Sequence, residues 1–274
     1  MKPKTISKSI FFAGIDLAWS YKNSTGIAVL ELDKTGKMCT LVHYGLASTD
    51  EDIISILKKS VGNNDAFIAI DAPLIVPNET GRRPAEDIVS KLFRKYHAAP
   101  YPSNRKNMTK WSEEIRGEAL SKKLEDNNFI HSPYLLNNSH PRIFFEVYPH
   151  PSTISMFNID RIIEYKSKPN RSIDHKIKEF GKYLVHIKSF ADKNKISLPK
   201  ELFKKNISKL NLRELKDYED TLDAVFCSFI AYYSWKNPKE CLVLGDMKTG
   251  YILTPAKESI RKEYAEEQSR LDNY

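Results

Sequence analysis

Acidic side chains at the ends of apolar runs are the residues in this sequence best suited to chemistry. Asp16 stands near the end of an apolar run that begins at Phe11, and Asp71 directly follows the apolar run 66–70. An ionised carboxylate there is costly to remove from water unless it meets a partner. Aspartate also caps turns where strands end, which is the simpler interpretation of either residue alone. Because two apolar runs end in the same way, we favour the interpretation that both aspartates are placed at strand ends to bind a positively charged group.

Three further acidic residues extend this pattern. Glu146 lies near the end of the apolar run 142–147, and Asp220 and Asp223 are three positions apart, hence neighbours on one face of a predicted helix. Sites of α/β proteins form where the carboxyl ends of strands meet. If the helix docks there, four or five carboxylates converge.

Each of these three residues also has a structural interpretation. The helix dipole favours acidic residues in a first turn, which would account for Asp220 and Asp223. Glu146 could pair with Arg142 or with an arginine from the section 77–140. The prediction of a site therefore rests on the joint pattern.

Charge repulsion restricts what such a cluster can be. Two like charges about 4 Å apart repel by roughly 4 kcal/mol at an effective dielectric constant near 20. Several such pairs would consume much of a domain's stability of about 5–15 kcal/mol. The carboxylates must therefore be partly protonated, paired with Lys or Arg, or neutralised by cations. Carboxylate oxygens suit Mg²⁺ or Mn²⁺, and two such ions support phosphoryl transfer by activating water and stabilising the leaving oxygen.

The elements that must position these residues follow from hydrophobic periodicity. Strands are predicted at 11–17, 27–30, 38–44, 66–70 and 142–147, the first three forming an antiparallel meander. Helices are predicted at 50–61, begun by Ser48 or Thr49, and at 84–96, 111–125 and 218–235. Together they predict one α/β domain over residues 11–255. It carries a helical insertion at about 77–140, a Lys-rich helical section at about 152–215, and a final hairpin within 241–253. Residues 256–274 are expected to form a charged tail or helix.

Composition narrows the class of protein. The chain has 274 residues, and no apolar run approaches the roughly 18 residues that a membrane span needs. The start is basic and polar, unlike a secretory signal. Three widely spaced cysteines form no Cys-x-x-Cys pair, which argues against a zinc site or disulfide framework and fits the cytoplasm. The net charge of +8 favours a polyanionic partner such as nucleic acid, although lysine-rich surfaces are as often merely solvated.

Five short blocks of the sequence resemble a known family. They are Gly14–Trp19, Ala69–Leu74, Gly81-Arg82-Arg83 with Glu86, Phe145–Pro149 and Glu219–Ala224. In that order they resemble the blocks of domain-of-unknown-function family 429, predicted nucleases of the RNase H-like fold. The resemblance implies a mixed five-stranded sheet with helices on both faces, as in RuvC-type resolvases.

The resemblance also implies a site. In the resolvases, carboxylates on the first strand, the fourth strand and the last helix bind two Mg²⁺ ions. Those positions fall here on Asp16, Asp71, Asp220 and Asp223. Glu146 has no clear counterpart in the resolvases, although this family usually has an acidic residue there.

The leading functional prediction is a nuclease that hydrolyses DNA or RNA with two Mg²⁺ or Mn²⁺ ions. Asp16 would bridge both ions, and Asp71 and Asp220 would hold one ion each. Asp223 would complete the coordination shell of an ion or orient a water molecule. Glu146 is a further catalytic candidate.

Other residues are candidates for substrate contacts. Arg82, Arg83 and Arg105 could meet phosphates by bidentate pairing, although a surface or structural ion pair is at least as plausible for each. The aromatic residues Tyr101, Trp111 and Tyr134 could stack on unpaired bases, or simply pack within the fold.

Two alternatives from other functional classes stay open. One is an actin-like or sugar-kinase-like ATP-binding phosphotransferase, which also begins with Gly-x-Asp before a hairpin. The sequence has no second glycine-rich phosphate loop and only 10 glycines, which argues against it. The other is a non-catalytic member of the fold that binds nucleic acid through its basic surface. The presence of all the acidic residues argues against this alternative, because a protein without catalytic activity gains nothing from their mutual repulsion.

Overall fold

The core of the protein is a seven-stranded mixed sheet. The computed structural model describes residues 8–110, 112–135 and 141–271. The strands are β1 (Ile10–Asp16), β2 (Thr25–Leu32), β3 (Cys39–Ala47), β4 (Asp65–Asp71), β5 (Ile130–His131), β6 (Arg142–Glu146) and β7 (Ile196–Ser197). They lie in the order β5-β6-β4-β1-β2-β3-β7. The strands β1, β2 and β3 form the antiparallel meander, whereas β4 runs parallel to β1 and β6 parallel to β4.

The prediction of an α/β fold with a mixed sheet, made of an antiparallel meander and parallel strands, is confirmed. The expected count of five strands is wrong, because β5 and β7 add one strand at each edge of the sheet. Each of these edge strands has only two residues. A strand that short carries no alternation of apolar and polar residues from which a sequence could predict it.

Eight α-helices are resolved within the described ranges. They are α1 (Asp50–Val61), α2 (Pro84–Phe93), α3 (Arg105–Met108), α4 (Arg116–Glu125), α5 (Pro149–Met156), α6 (Ile173–Asn194), α7 (Leu212–Lys236) and α8 (Glu258–Leu271). Short 3-10 helices cover Arg94–Tyr96, Lys200–Phe203, Ile207–Lys209 and Pro238–Glu240, and a separate hairpin comprises β8 (Cys241–Asp246) and β9 (Gly250–Pro255). None of the helices in the described ranges is both long and apolar enough to cross a membrane.

Two helices begin at residues other than those predicted, and the helix predicted at 84–96 ends at Phe93, with a 3-10 helix over Arg94–Tyr96 after it. The helix α4 begins at Arg116 rather than at residue 111, and Trp111 itself lies outside the described residues. The helix α7 begins at Leu212, where Asn211 and Glu214 form a capping box. Its polar, charged first turns lack the apolar stripe by which the rest of the helix is recognised. Asp220 and Asp223 consequently lie about two to three turns inside the helix, and the first-turn explanation of their presence is wrong.

Helices cover both faces of the sheet, and strand alternation assigns side chains to these faces. Phe12 of β1 packs in a buried cluster with Phe180 of α6 and Phe226 of α7. Ile15 packs on the opposite face, in a second cluster with Ile53 of α1. Because side chains of a strand alternate between faces, every second residue counted from Phe12 points toward α7.

Candidate active site

Asp16 and Asp71 end two neighbouring parallel strands and lie side by side. They are register partners in the pairing of β1 with β4, so their Cα atoms are about 5 Å apart. Asp16 shares the face of Phe12, and Asp71 shares the face of Phe67 and Ala69, which pack in the same cluster. Both carboxylates therefore point toward the face on which α7 docks.

Two glycines let α7 dock closely enough to complete the cluster. A Cβ atom on Gly14 would stand 2.1 Å from the Ala224 carbonyl oxygen, and one on Gly26 would stand 2.0 Å from that of Asp220. Gly26 is also the register partner of Asp16 in the β1–β2 pairing. Backbone contact at these two glycines thus places the middle of α7 on the strand ends, beside Asp16.

The acidic side chains interact strongly once they are assembled. Burial raises the pKa of Asp16 well above its ordinary value, and Lys166 opposes the rise. Repulsion by Asp223, Asp71 and Asp220 adds to it. Burial likewise raises the pKa of Asp71 to about 7, with Lys166 opposing and Asp223 reinforcing the shift. The predicted set Asp16, Asp71, Asp220 and Asp223 therefore shares one electrostatic environment.

Lysines neutralise the two helical aspartates. The Lys166 Nζ atom lies 2.8 Å from Asp223 Oδ2, and the Tyr165 hydroxyl donates a 2.6 Å hydrogen bond to Asp223 Oδ1. Lys216 of α7 forms an ion pair with Asp220, which lies one helical turn after it. Burial lowers the pKa of Lys166, but Asp223 and Asp16 outweigh it and raise that pKa well above its ordinary value. Lys166 is therefore a fixed positive charge.

Neither lysine was identified from the sequence as a site residue. Lys166 lies in an irregular stretch between α5 and α6, where no periodicity or motif marks it. The one sequence signal was general: clustered carboxylates need Lys, Arg or metal ions as counter-charges.

Asp16 and Asp71 lack such partners. Within the described part of the chain, neither carboxylate forms a hydrogen bond or ion pair, and both meet their neighbours through longer-range charge interactions. No group of three or more His, Cys, Asp or Glu side chains among those residues is arranged to hold a metal as it stands. Two unpartnered carboxylates at adjacent strand ends nevertheless supply the hard oxygen donors that Mg²⁺ or Mn²⁺ prefers. The donor chemistry therefore fits a divalent ion.

Glu146 does not share the face of this cluster, although repulsion by its charge contributes to the raised pKa of Asp71. It follows Phe145, which shares the face of Asp71, and so alternation directs it to the opposite face. There Arg83 donates to both carboxylate oxygens, at 2.6 Å and 3.0 Å, and the Leu74 amide donates at 2.9 Å. The structure thus shows the pairing of Glu146 with an arginine of the section 77–140. A catalytic role for Glu146 stays a prediction without support from its position.

The three predicted arginines have different surroundings. Arg83 is only 1% exposed and is fully paired with Glu146 and Glu86, which leaves no group free to meet a phosphate. Arg105 pairs with Glu118 at 2.9 Å on a partly exposed surface. Arg82 alone of the three lines the cleft beside the carboxylates.

That cleft has a volume of about 1110 Å³ and is lined by both signs of charge. Asp16, Asp71 and Asp220 lie on its wall. Its cationic lining residues are Lys22, Arg82, Lys166, Lys168, Arg213 and Lys216. Two exposed aromatic residues, Trp19 at 47% and Tyr101 at 71%, also line it. Tyr134 is exposed but lies outside this lining.

Comparisons with known proteins identify the family. No curated protein matches the sequence. The crystal structure of the yeast mitochondrial Holliday junction resolvase is similar at 9% identity and a TM-score of 0.33, covering 86% of this chain and 87% of that one. That score is too low to support a conclusion about fold or function. The model of the family described as "Protein of unknown function (DUF429)" matches residues 14–247, most of the sequence. The chain therefore belongs to the DUF429 family.

Proposed function

We propose that this protein is a metal-dependent nuclease that hydrolyses phosphodiester bonds of DNA or RNA. The observation that carries this proposal is the convergence of Asp16, Asp71, Asp220 and Asp223 from two strands and a helix beside a cleft rich in Lys and Arg. The carboxylates suit divalent cations. The basic residues suit a polyanion.

Asp16 and Asp71 are the residues best placed to hold a divalent ion, because their carboxylates face the cleft and form no hydrogen bond or ion pair with any residue that the structure describes. Asp220 and Asp223 would complete the acidic surroundings. When bound, Mg²⁺ or Mn²⁺ supplies an activated water and stabilises charge on the leaving oxygen. The reaction class is therefore phosphodiester hydrolysis.

The cleft also supports a description of how substrate binds. The guanidinium of Arg82 donates to Ser90 Oγ and to the Pro100 carbonyl, which fixes its position at the wall of the cleft. Arg82 would contact a phosphate beside the scissile bond. Trp19 and Tyr101 would stack on bases, which requires that those bases be unpaired. We therefore expect a single strand, or a duplex with unpaired nucleotides, to be preferred over regular duplex.

The decisive experiment is cleavage of labelled single- and double-stranded DNA and RNA by purified protein with Mg²⁺ or Mn²⁺. Asp16→Asn is expected to lower the rate by about 10²-fold or more, since metal-assisted stabilisation of charge contributes several kcal/mol. Asp192→Asn, the same change on the exposed surface of α6, is the control and should cleave like the wild type. A wild-type protein that neither binds divalent metal nor cleaves these substrates would overturn the proposal.

A second candidate is a non-catalytic nucleic-acid-binding protein. The ion pairs of Lys166 with Asp223 and of Lys216 with Asp220 favour it, because they neutralise part of the acidic cluster without metal. Such a protein would bind nucleic acid but would gain no stability from Mg²⁺ or Mn²⁺. A thermal melt with and without these ions separates the two candidates.

A further inference from the structure

We propose that Lys166 takes the place of one of the two cations, so that the site holds one divalent ion and uses the Lys166 ammonium as its second positive charge. This inference rests on the proposed metal-dependent function and specifies how that site is built.

The four carboxylates fall into two classes that suggest this division. Asp16 and Asp71 have no ion-pair or hydrogen-bond partner within residues 8–110, 112–135 and 141–271. The carboxylates of the other two residues are paired. That of Asp223 is only 1% exposed and has Lys166 Nζ at 2.8 Å from one oxygen and the Tyr165 hydroxyl at 2.6 Å from the other. That of Asp220 pairs with Lys216. One pair of carboxylates thus remains available for an ion, and Asp223 already has its cation.

The position of Lys166 is set by the fold. Arg171 Nη1 donates to the Lys166 carbonyl oxygen at 3.0 Å. The next residue, Ser167, accepts a 2.9 Å hydrogen bond from Lys176 Nζ, and Lys176 pairs with Glu219 of α7 at 3.0 Å. The Lys176 and Glu219 side chains are almost completely buried, at 6% and 2% exposure. The segment that carries Lys166 is therefore tied to the same helix that carries Asp223.

The charges of the assembled cluster agree with a single ion. When a bound cation keeps all four ionised, Asp16, Asp71, Asp220 and Asp223 carry four negative charges, and Lys166 and Lys216 return two positive charges. One divalent ion would balance the remaining charge. A second divalent ion would have to bind beside the Lys166 ammonium and would leave an excess of positive charge in a partly desolvated site, where like charges repel strongly.

Counting bound Mn²⁺ tests the inference without any measurement of activity. Metal-free protein is titrated with Mn²⁺ and the free ion is measured by electron paramagnetic resonance. The titration is repeated with a single-stranded phosphorothioate oligonucleotide present, because a substrate phosphate can complete a metal site. Wild type should bind one ion per chain in both titrations, and Lys166→Met should bind two.

Two control variants make the count specific to the charge of Lys166. Lys166→Arg keeps the positive charge and should still bind one ion. Lys168→Met makes the same chemical change two residues further along, at an exposed lysine of the same cleft, and should also bind one. Circular dichroism checks that each variant is folded. If Lys166→Met does not fold, the number of ions bound by the wild type decides whether the site holds one divalent ion or two.

The outcomes separate this inference from the proposed function. Two ions on the wild type, or an unchanged count of one on a folded Lys166→Met, would overturn the role of Lys166 and leave a metal-dependent nuclease intact. No bound ion on the wild type would remove the metal-dependent function itself. One ion on the wild type and two on Lys166→Met would support both.

Discussion

Gly26 of β2 lies directly against the backbone of Asp220 in α7, so closely that a Cβ atom on Gly26 would stand 2.0 Å from the Asp220 carbonyl oxygen. Gly26 is also the register partner of Asp16. One glycine thus joins the end of the first strand to the middle of the longest helix. The acidic cluster depends on this close approach.

Gly26→Ala is therefore expected to push α7 away from the sheet. The added methyl group meets backbone, which cannot move aside cheaply, and overpacking of this kind costs about 1–3 kcal/mol or more. Urea unfolding measures the loss, and stabilisation by Mn²⁺ should fall with it. Gly181→Ala is the matched control, because Gly181 lies in α6 with no atom within 4 Å of an added Cβ. It should gain about 0.5–1 kcal/mol, and equal behaviour of the two variants would contradict the docking role of Gly26.

Removal of metal should destabilise the wild type much more than it destabilises Asp71→Asn. Without metal, Asp71→Asn removes repulsion with Asp16 and Asp223 and should unfold at a higher temperature than the wild type. With Mn²⁺ at about 100 times its dissociation constant, the wild type should gain about 2.7 kcal/mol, and Asp71→Asn much less. Thermal melts with EDTA and with Mn²⁺ measure both effects, with Asp192→Asn as the control. A gain from Mn²⁺ that survives in Asp71→Asn would place the ion elsewhere.

Glu146 is expected to affect stability rather than metal binding. Glu146→Gln weakens the partner of a buried arginine, and disruption of a buried ion pair costs about 3–5 kcal/mol, less here because Glu86 still contacts Arg83. Glu118→Gln breaks the partly exposed pair with Arg105 and should cost about 1 kcal/mol or less. Urea unfolding compares the two variants. Loss of Mn²⁺ binding in a folded Glu146→Gln would instead support the role as a catalytic carboxylate that the sequence suggested.

Trp19 and Tyr101 are expected to contribute to binding of unpaired bases. Replacing either with alanine should weaken binding of a single-stranded oligonucleotide by about tenfold or more, since base–aromatic stacking contributes about 1–3 kcal/mol. Tyr134→Ala is the control, because Tyr134 is similarly exposed but lies outside the lining of the cleft. Fluorescence anisotropy measures the three affinities. An equal loss in Tyr134→Ala, or no loss in the other two variants, would argue against stacking in the cleft.

His131 should make stability depend on pH below neutrality. Its ring stacks on Phe144 with centroids 4.6 Å apart, and burial lowers its pKa to about 4. Between pH 6.5 and 4 the unfolded chain binds a proton that the folded protein does not. Stability is therefore expected to fall by up to about 2–3 kcal/mol as the pH decreases through that window.

His131→Phe keeps a stacked ring and removes this titrating group, so the dependence of unfolding free energy on pH should become less steep by the contribution of His131. His97→Asn removes an exposed imidazole and keeps a residue type that tolerates the positive φ of 62° at that position. Its pH dependence should stay close to that of the wild type. A slope as steep in His131→Phe as in the wild type would assign the effect to another group, such as His150, whose pKa burial lowers to about 3.

The sequence by itself determined the central part of the fold and the identity of the acidic residues. Apolar runs that end in Asp16 and Asp71 marked two strand ends, and the meander followed from short turns between apolar segments. These features are local: hydrophobic periodicity and turn residues act over a few positions. The ordered blocks from residue 14 onward were enough to identify the family.

Only the tertiary structure decided which charges meet. Lys166 pairs with Asp223 across 57 positions of sequence, and Arg83 pairs with Glu146 across 63. Strand alternation directs Asp71 and Glu146 to opposite faces, although both follow similar apolar runs, and the docking of α7 against two glycines determines which of these faces holds the acidic cluster. Electrostatic energy depends on distance and burial in three dimensions. The sequence alone therefore required counter-charges for the cluster without showing which residues supply them.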